Sequence, residues 1–257
     1  MILTVDIGNT NIVLGCFDKE QKLVFVARLA TETKNTEDEY ASKLKSILML
    51  NEIGTHGIRG AIISSVVPPL TNILEKAIEK VYSVKPLIVG AGMKTGINLL
   101  VDNPLQVGAD LICACVAAHK FYKGASLILD MGTATKMMVV DANGAFLGVS
   151  IIPGVQLGIN ALASSASQLP QISLEAPPRV IAKNTIDCMR SGVVYGNACM
   201  IDGMIDRIAN EIHTDFNIIA TGGMCQTIIE HCTHSMIKDD DLVLKGLYIL
   251  YNKNASQ

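Results

Sequence analysis

The residues best suited to chemistry stand in two short runs. Asp6-Ile7-Gly8-Asn9-Thr10-Asn11 closes one apolar stretch and opens the next. Gly8 permits a tight turn and close backbone approach. Turn N–H groups and the side chains of Asn9, Thr10 and Asn11 then suit phosphate oxygens. Asp6, at the strand end, would face those phosphates. A carboxylate there is useful only with a divalent cation between, and Mg²⁺ shared by carboxylate and phosphate fits. Read for structure alone, the run is a hairpin turn rich in turn-formers.

Asp130-Met131-Gly132-Thr133-Ala134-Thr135-Lys136 repeats that chemistry with an aspartate, a glycine and hydroxyls. Two such loops from duplicated domains would face each other across a cleft and grip one nucleotide. Ala220-Thr221-Gly222-Gly223 is a third glycine turn after an apolar strand. Gly222 and Gly223 would let an adenine or a ribose lie against the backbone. Asp110, in Gly108-Ala109-Asp110-Leu111, opens an apolar helix. It is either a favourable helix N-terminal charge or a general base at the cleft.

Other runs fail as motifs. Gly90–Gly96 is not a phosphate loop, because no glycine directly precedes Lys94. His231, Cys232 and His234 lack a second pair at zinc spacing. Asp239, Asp240 and Asp241 read as a solvated helix start.

The elements that position these residues follow from apolar periodicity and turn chemistry. The first 31 residues read as three strands, with turns at Gly8–Thr10 and Asp18–Gln21. A helix over 35–50 is capped by Asn35 or Thr36, with Glu37, Asp38 and Glu39 in its first turn. A strand at Gly60–Val67, a helix opened by Pro68 and Pro69, a strand at Pro86–Gly90 and a helix at about 108–122 complete the half. The pattern then restarts. Three strands begin at Ser126, helices follow from about 154 and 185, then come strand Asn217–Gly223 and a closing helix from Asp241. Asp6–Thr10 lies on Asp130–Ala134 at an offset of 124 residues, and element order repeats with it. The reading is two related α/β domains, 1–118 and 119–257, around a cleft.

Composition bounds the function. The 257 residues carry 21 Lys+Arg against 24 Asp+Glu, a net charge of −3, with 49% apolar and 4% aromatic residues. That is an ordinary folded chain. The slightly acidic balance without a basic run argues against nucleic acid, whose affinity is largely cation–phosphate attraction. No apolar stretch reaches the roughly 18 residues of a membrane helix, and nothing resembles a signal peptide. Seven scattered cysteines without a CxxC pair read as reduced, buried residues of a cytoplasmic protein. The apolar surplus points to a buried subunit interface.

Five ordered motifs then converge. Asp6–Asn11, Asn103–Asp110, Asp130–Thr135, Asn184–Gly196 and Ala220–Gly223 resemble, in order and spacing, those of type III pantothenate kinases. The resemblance covers nearly the whole chain. It implies two duplicated ribonuclease-H-like domains of the actin-like ATPase superfamily around a nucleotide cleft. The implied activity is ATP-dependent phosphorylation of pantothenate, the first step to coenzyme A. Carried over by position, Asp6, Ile7, Gly8, Asn9, Thr10, Asn11, Ile12 and Val13 form the first ATP loop, with Asp6 on Mg²⁺. Gly132, Thr133, Gly222 and Gly223 also meet ATP. Asp110 accepts the hydroxyl proton, and Asp130 holds a monovalent cation, K⁺ or NH₄⁺. Val101, Gly108, Ala109, Asp110, Leu111 and Thr185 lie on the pantothenate side, Thr185 reaching across a homodimer interface.

Three residues depart from the family pattern. Leu111 stands where an arginine usually helps hold substrate, Val101 where a tyrosine is usual, and Lys136 where the second loop usually has threonine. An arginine lost from a buried substrate group costs roughly 2–5 kcal/mol. Lys136, six residues from Asp130, is expected either to replace the monovalent cation or to snorkel to solvent. The altered pocket leaves two alternatives open: a diverged subunit that forms a heterodimer with a paralogue to complete the site, or a kinase for another small hydroxyl substrate.

Overall fold

The computed structural model describes residues 1–255. The chain divides into two compact units, Met1–Ala117 with the residues from Asp241 onward, and Ala118–Asp240. The closing helix thus belongs with the first unit, whereas the sequence reading placed it in 119–257.

The first unit contains β1 (Ile2–Ile7), β2 (Asn11–Phe17), β3 (Leu23–Ala30), α1 (Glu37–Leu50), β4 (Gly60–Ser65), α2 (Pro68–Tyr82), β5 (Leu87–Ile88), β6 (Asn98–Leu99) and α3 (Ala109–Phe121). Its sheet runs β3-β2-β1-β4-β5, with β1–β2–β3 antiparallel and β1–β4–β5 parallel. Thr36, not Asn35, caps α1, through a reciprocal pair with Glu39 that satisfies two helix-end N–H groups. Pro68 and Pro69 open α2 as expected.

Alternation sorts the strands. Leu3, Val5 and Ile7 join Leu44, Leu70 and Leu74 in one core beneath α1 and α2. Even positions face the other side, where Gly15 lies between Thr4 and Leu244. That side belongs to the C-terminal helix. Its Gly246 meets the backbone of Cys113 in α3, its Tyr251 fills the space beside Gly60, and its Tyr248 stacks on Phe17 at 4.5 Å.

The second unit contains β7 (Ala125–Met131), β8 (Ala134–Val140), β9 (Ala145–Pro153), α4 (Val155–Ser165), α5 (Thr185–Ile212), β10 (Phe216–Thr221), α6 (Cys225–Ile229) and β11 (Ile237–Lys238). The C-terminal helix is α7 (Leu242–Asn254). Strand order β11-β10-β7-β8-β9 repeats that of the first sheet, and the ladder senses repeat with it. Each unit is therefore the same antiparallel triplet followed by parallel crossovers, and the expected duplication of ribonuclease-H-like domains holds. Leu127, Leu129 and Met131 face a core with Ile159, Val194 and Ile201 of α4 and α5.

Two expectations change. The Pro86–Gly90 strand shrinks to β5, two residues long. Asp239 is not solvated. It is 6% exposed and accepts a hydrogen bond from the Tyr122 hydroxyl at 2.9 Å. Burial, then that bond, pushes the Tyr122 phenol up to about 12.

Candidate active site

In the first unit, Asp6 ends β1 with Val13 of β2 on one side and Ser64 of β4 on the other. Its turn is tied twice. The Gly8 N–H donates to the Asn11 carbonyl at 3.0 Å, and the Thr31 hydroxyl donates to the Gly8 carbonyl at 2.7 Å. Thr31 also gives its N–H to the Thr10 carbonyl. The sequence reading missed Thr31, since nothing local marks a partner 23 residues away. Asn9, Thr10 and Asn11 are exposed. Ile7 and Ile12 are fully buried, so only their backbones serve the turn. Val13 is half-buried.

Asp110 occupies the first turn of α3. A Cβ on Gly108 would lie 2.5 Å from its Oδ1, so this position needs a glycine for the carboxylate to fold back. Beneath it sits Cys113, fully enclosed, with Ser64 beside its thiol. Burial first, then the Asp6 and Asp110 carboxylates, push that thiol well above its ordinary range. The two aspartates therefore flank one buried, neutral group.

Burial also pushes Cys115 to about 12 and Cys16 to about 11. Because the thiolate is the reactive form, iodoacetamide at pH 8 is expected to spare Cys16, Cys113 and Cys115 in the native protein. Cys188 and Cys199, both exposed, should react. Peptide mass spectrometry reads this out. Equal labelling of Cys113 and Cys188 would mean that the carboxylate site opens readily.

Val101 and Ala109 are half-buried, whereas Leu111 is only 7% exposed. An arginine at this enclosed position would need room and a counter-charge. Asn103 starts the intervening turn, its side chain accepting the Leu105 N–H at 3.2 Å.

In the second unit, Asp130 ends β7 directly opposite Lys136 of β8. The Lys136 Nζ donates to Asp130 Oδ2 at 2.9 Å, and each side chain is 18% exposed. The snorkelling alternative for Lys136 is thereby excluded. The turn closes through the Gly132 N–H and the Ala134 carbonyl at 3.2 Å, leaving Thr133 exposed. Two glycines hold this turn from behind. Gly154 abuts the carbonyls of Gly132 and Thr133. Gly222, at φ +98°, has Met131 backbone atoms at 2.5–2.7 Å from where a Cβ would stand. Gly222, expected to face nucleotide, is placed here against the second turn as its buttress. Gly154 had no signal in the sequence, because its neighbours are 21 and 22 residues away. Gly223 is exposed.

Thr185 is exposed at the first position of α5, after Asn184, whose side chain accepts the Asp187 N–H at 3.0 Å. His234 pairs with Asp206 at 2.9 Å, and no metal-binding group of His, Cys, Asp and Glu occurs among the described residues.

Fold likeness is broad. The activator of 2-hydroxyisocaproyl-CoA dehydratase from Clostridium difficile, solved with bound ADPNP, superposes with a TM-score of 0.57 at 13% identity, over 100% of this chain and 96% of that one. Component A of (R)-2-hydroxyglutaryl-CoA dehydratase from Acidaminococcus fermentans gives 0.55 at 13%, over 97% and 96%. Sequence likeness is narrower. The type III pantothenate kinase of Syntrophobacter fumaroxidans is 42% identical across 99% of this chain and 98% of its own. That of Syntrophus aciditrophicus is 41% identical across 99% and 100%. The family model for type III pantothenate kinase matches residues 2–207. By both measures, the chain belongs to the type III pantothenate kinase family.

Proposed function

We propose that the protein transfers the γ-phosphoryl group of ATP to the primary hydroxyl of pantothenate, giving 4′-phosphopantothenate and ADP, the first step of coenzyme A synthesis. The observation that carries this reading is the placement of Asp6 and Asp110 around one buried thiol, beneath a glycine turn whose side chains are exposed. Phosphoryl transfer needs alignment and charge neutralisation more than covalent chemistry. Asp6 would hold Mg²⁺, which neutralises phosphate charge when bound. The Thr10 hydroxyl, the Asn9 and Asn11 side-chain amides and the turn backbone beyond Gly8 orient phosphate oxygens. Gly132 shapes a second turn that presents Thr133 to the phosphates, and Gly222 and Gly223 leave the backbone open to the nucleoside. Asp110 takes the proton from the substrate hydroxyl as its oxygen bonds to phosphorus and the bond to the ADP oxygen breaks. Gly108, Ala109 and Val101 border the pantothenate side, and Thr185 contacts it.

The working form is a homodimer of the cytoplasm. No helix among the described residues is long and apolar enough to cross a membrane. Exposed apolar side chains in the second unit include Leu147, Val149 and Ile151 on one face of β9, and Leu157 and Leu162 of α4. A second copy is the occupant that would cover them. Ile151→Lys is expected to halve the mass seen by light scattering; an unchanged mass would place the interface elsewhere.

Purified chain with ATP, Mg²⁺ and pantothenate tests the whole reading through ADP release. Turnover of about 1 s⁻¹ or more is the enzymatic range. Turnover at that rate would remove the heterodimer alternative, whose motive is the enclosed Leu111. Release only with another alcohol would reassign the acceptor.

A further inference from the structure

The family resemblance implies a monovalent cation at Asp130, and the donor set does not fit one. Asp130 Oδ2 already holds the Lys136 ammonium at 2.9 Å. The internal repeat supplies a control. The second hairpin is one residue shorter, since Ile7 pairs with Ile12 but Met131 with Thr135. In register, Asp6 therefore faces Val13, while Asp130 faces Lys136. The hairpin is built equally well with an apolar residue at that position. A lysine there is not required by the fold.

Nor does the ion pair find an explanation in stability. Enclosing two charges costs about as much as their attraction returns. A strand lysine left to itself extends its amine to water. Here the side chain is instead drawn in against the turn that carries Gly132 and Thr133. The neighbouring Thr135 is fully buried, with its hydroxyl lacking a hydrogen-bond partner among the described residues. The site thus combines a fixed positive charge, a carboxylate that aims it, and the exposed Thr133 of the turn. That combination suits a polyanion, such as a nucleotide phosphate chain.

We propose that Lys136 is a tethered replacement for the monovalent cation, a positioning residue whose ammonium is held by Asp130 beside the second phosphate turn. The proposal rests on the kinase reading. It predicts an enzyme indifferent to K⁺ and NH₄⁺.

The test is calorimetric titration of the Mg²⁺ complex of a non-hydrolysable ATP analogue, in KCl and in tetramethylammonium chloride at equal ionic strength. Wild-type affinity should agree within about twofold between the two media, and Lys136→Arg should behave alike. Lys136→Thr should bind at least about tenfold more weakly in tetramethylammonium and recover with K⁺ or NH₄⁺. ADP release with pantothenate should follow the same pattern. Wild-type binding that collapses without K⁺ overturns the proposal, and needs no variant to fold. Equal binding by Lys136→Thr in both media also overturns it, leaving the lysine a structural role. Absence of nucleotide binding in every medium removes the kinase reading and this proposal together.

Discussion

Asp110→Asn is expected to lower kcat for pantothenate phosphorylation by about 10²- to 10⁴-fold, the usual contribution of a positioned general base. Nucleotide affinity should change little. Asparagine keeps the shape of the side chain that fits over Gly108 and loses only its charge. The stability cost is bounded by the loss of one acidic residue from the first turn of α3, about 0.3–1 kcal/mol. Steady-state kinetics beside a melting curve separates the two effects. A variant that melts normally and turns over within threefold of wild type (about 0.6 kcal/mol) would refute the role given to Asp110. An equal loss in KM with kcat intact would make it a substrate-binding group instead.

Gly222→Ala is expected to be the most damaging single methyl in the second unit. Two independent costs add. The backbone at φ +98° disfavours any L side chain, and the new Cβ would drive into Met131 N, C and O. Forced overpacking costs about 1–3 kcal/mol, and left-handed backbone adds about 1–2 kcal/mol. The displaced backbone is Met131, next to Gly132, so nucleotide affinity should fall together with stability. Gly203 provides the contrast. It is exposed inside α5, with open space where a Cβ would go, and Gly203→Ala should stabilise by about 0.5–1 kcal/mol. Urea unfolding of both variants, with analogue titration, measures this. Equal stability for the two would mean that the Gly222 turn relaxes freely.

What was legible in the sequence was local. Each aspartate–glycine turn carries its own signal: an apolar run, a glycine and hydrogen-bonding side chains in direct succession. The Thr36–Glu39 cap spans four residues and was readable to within one position. Long helices such as α2 and α5 announce themselves by periodicity and by their openings. Two-residue strands such as β5, β6 and β11 have no period to detect. The supports of the site were hidden for a different reason. Thr31, Gly154 and Ser64 act on residues distant in sequence, and their types are ordinary at strand ends. The offset of 124 residues also misplaces one position. It lays Lys136 on Ile12, a fully buried core residue, whereas the shorter second turn brings it into register with Val13. The hairpin length, not the residue count, decides which side chain faces the aspartate.

The return of α7 to the first sheet has a bearing on synthesis. Residues 118–240 are continuous, so the second unit has all its strands once Lys238 has emerged. The first unit is made earlier but lacks a layer. Its even-numbered face, with Thr4 and Gly15, stays open until Leu244, Gly246, Tyr248 and Tyr251 emerge, after the whole of the second unit. Maturation therefore runs opposite to the usual vectorial order, in which the N-terminal domain settles first. On the ribosome, the sheet that carries the Asp6 turn waits for the thirteen-residue α7 before its second face is covered. A chain released prematurely would carry a finished second lobe and an unfinished first one, which suits recognition by quality control before any ATP is turned over.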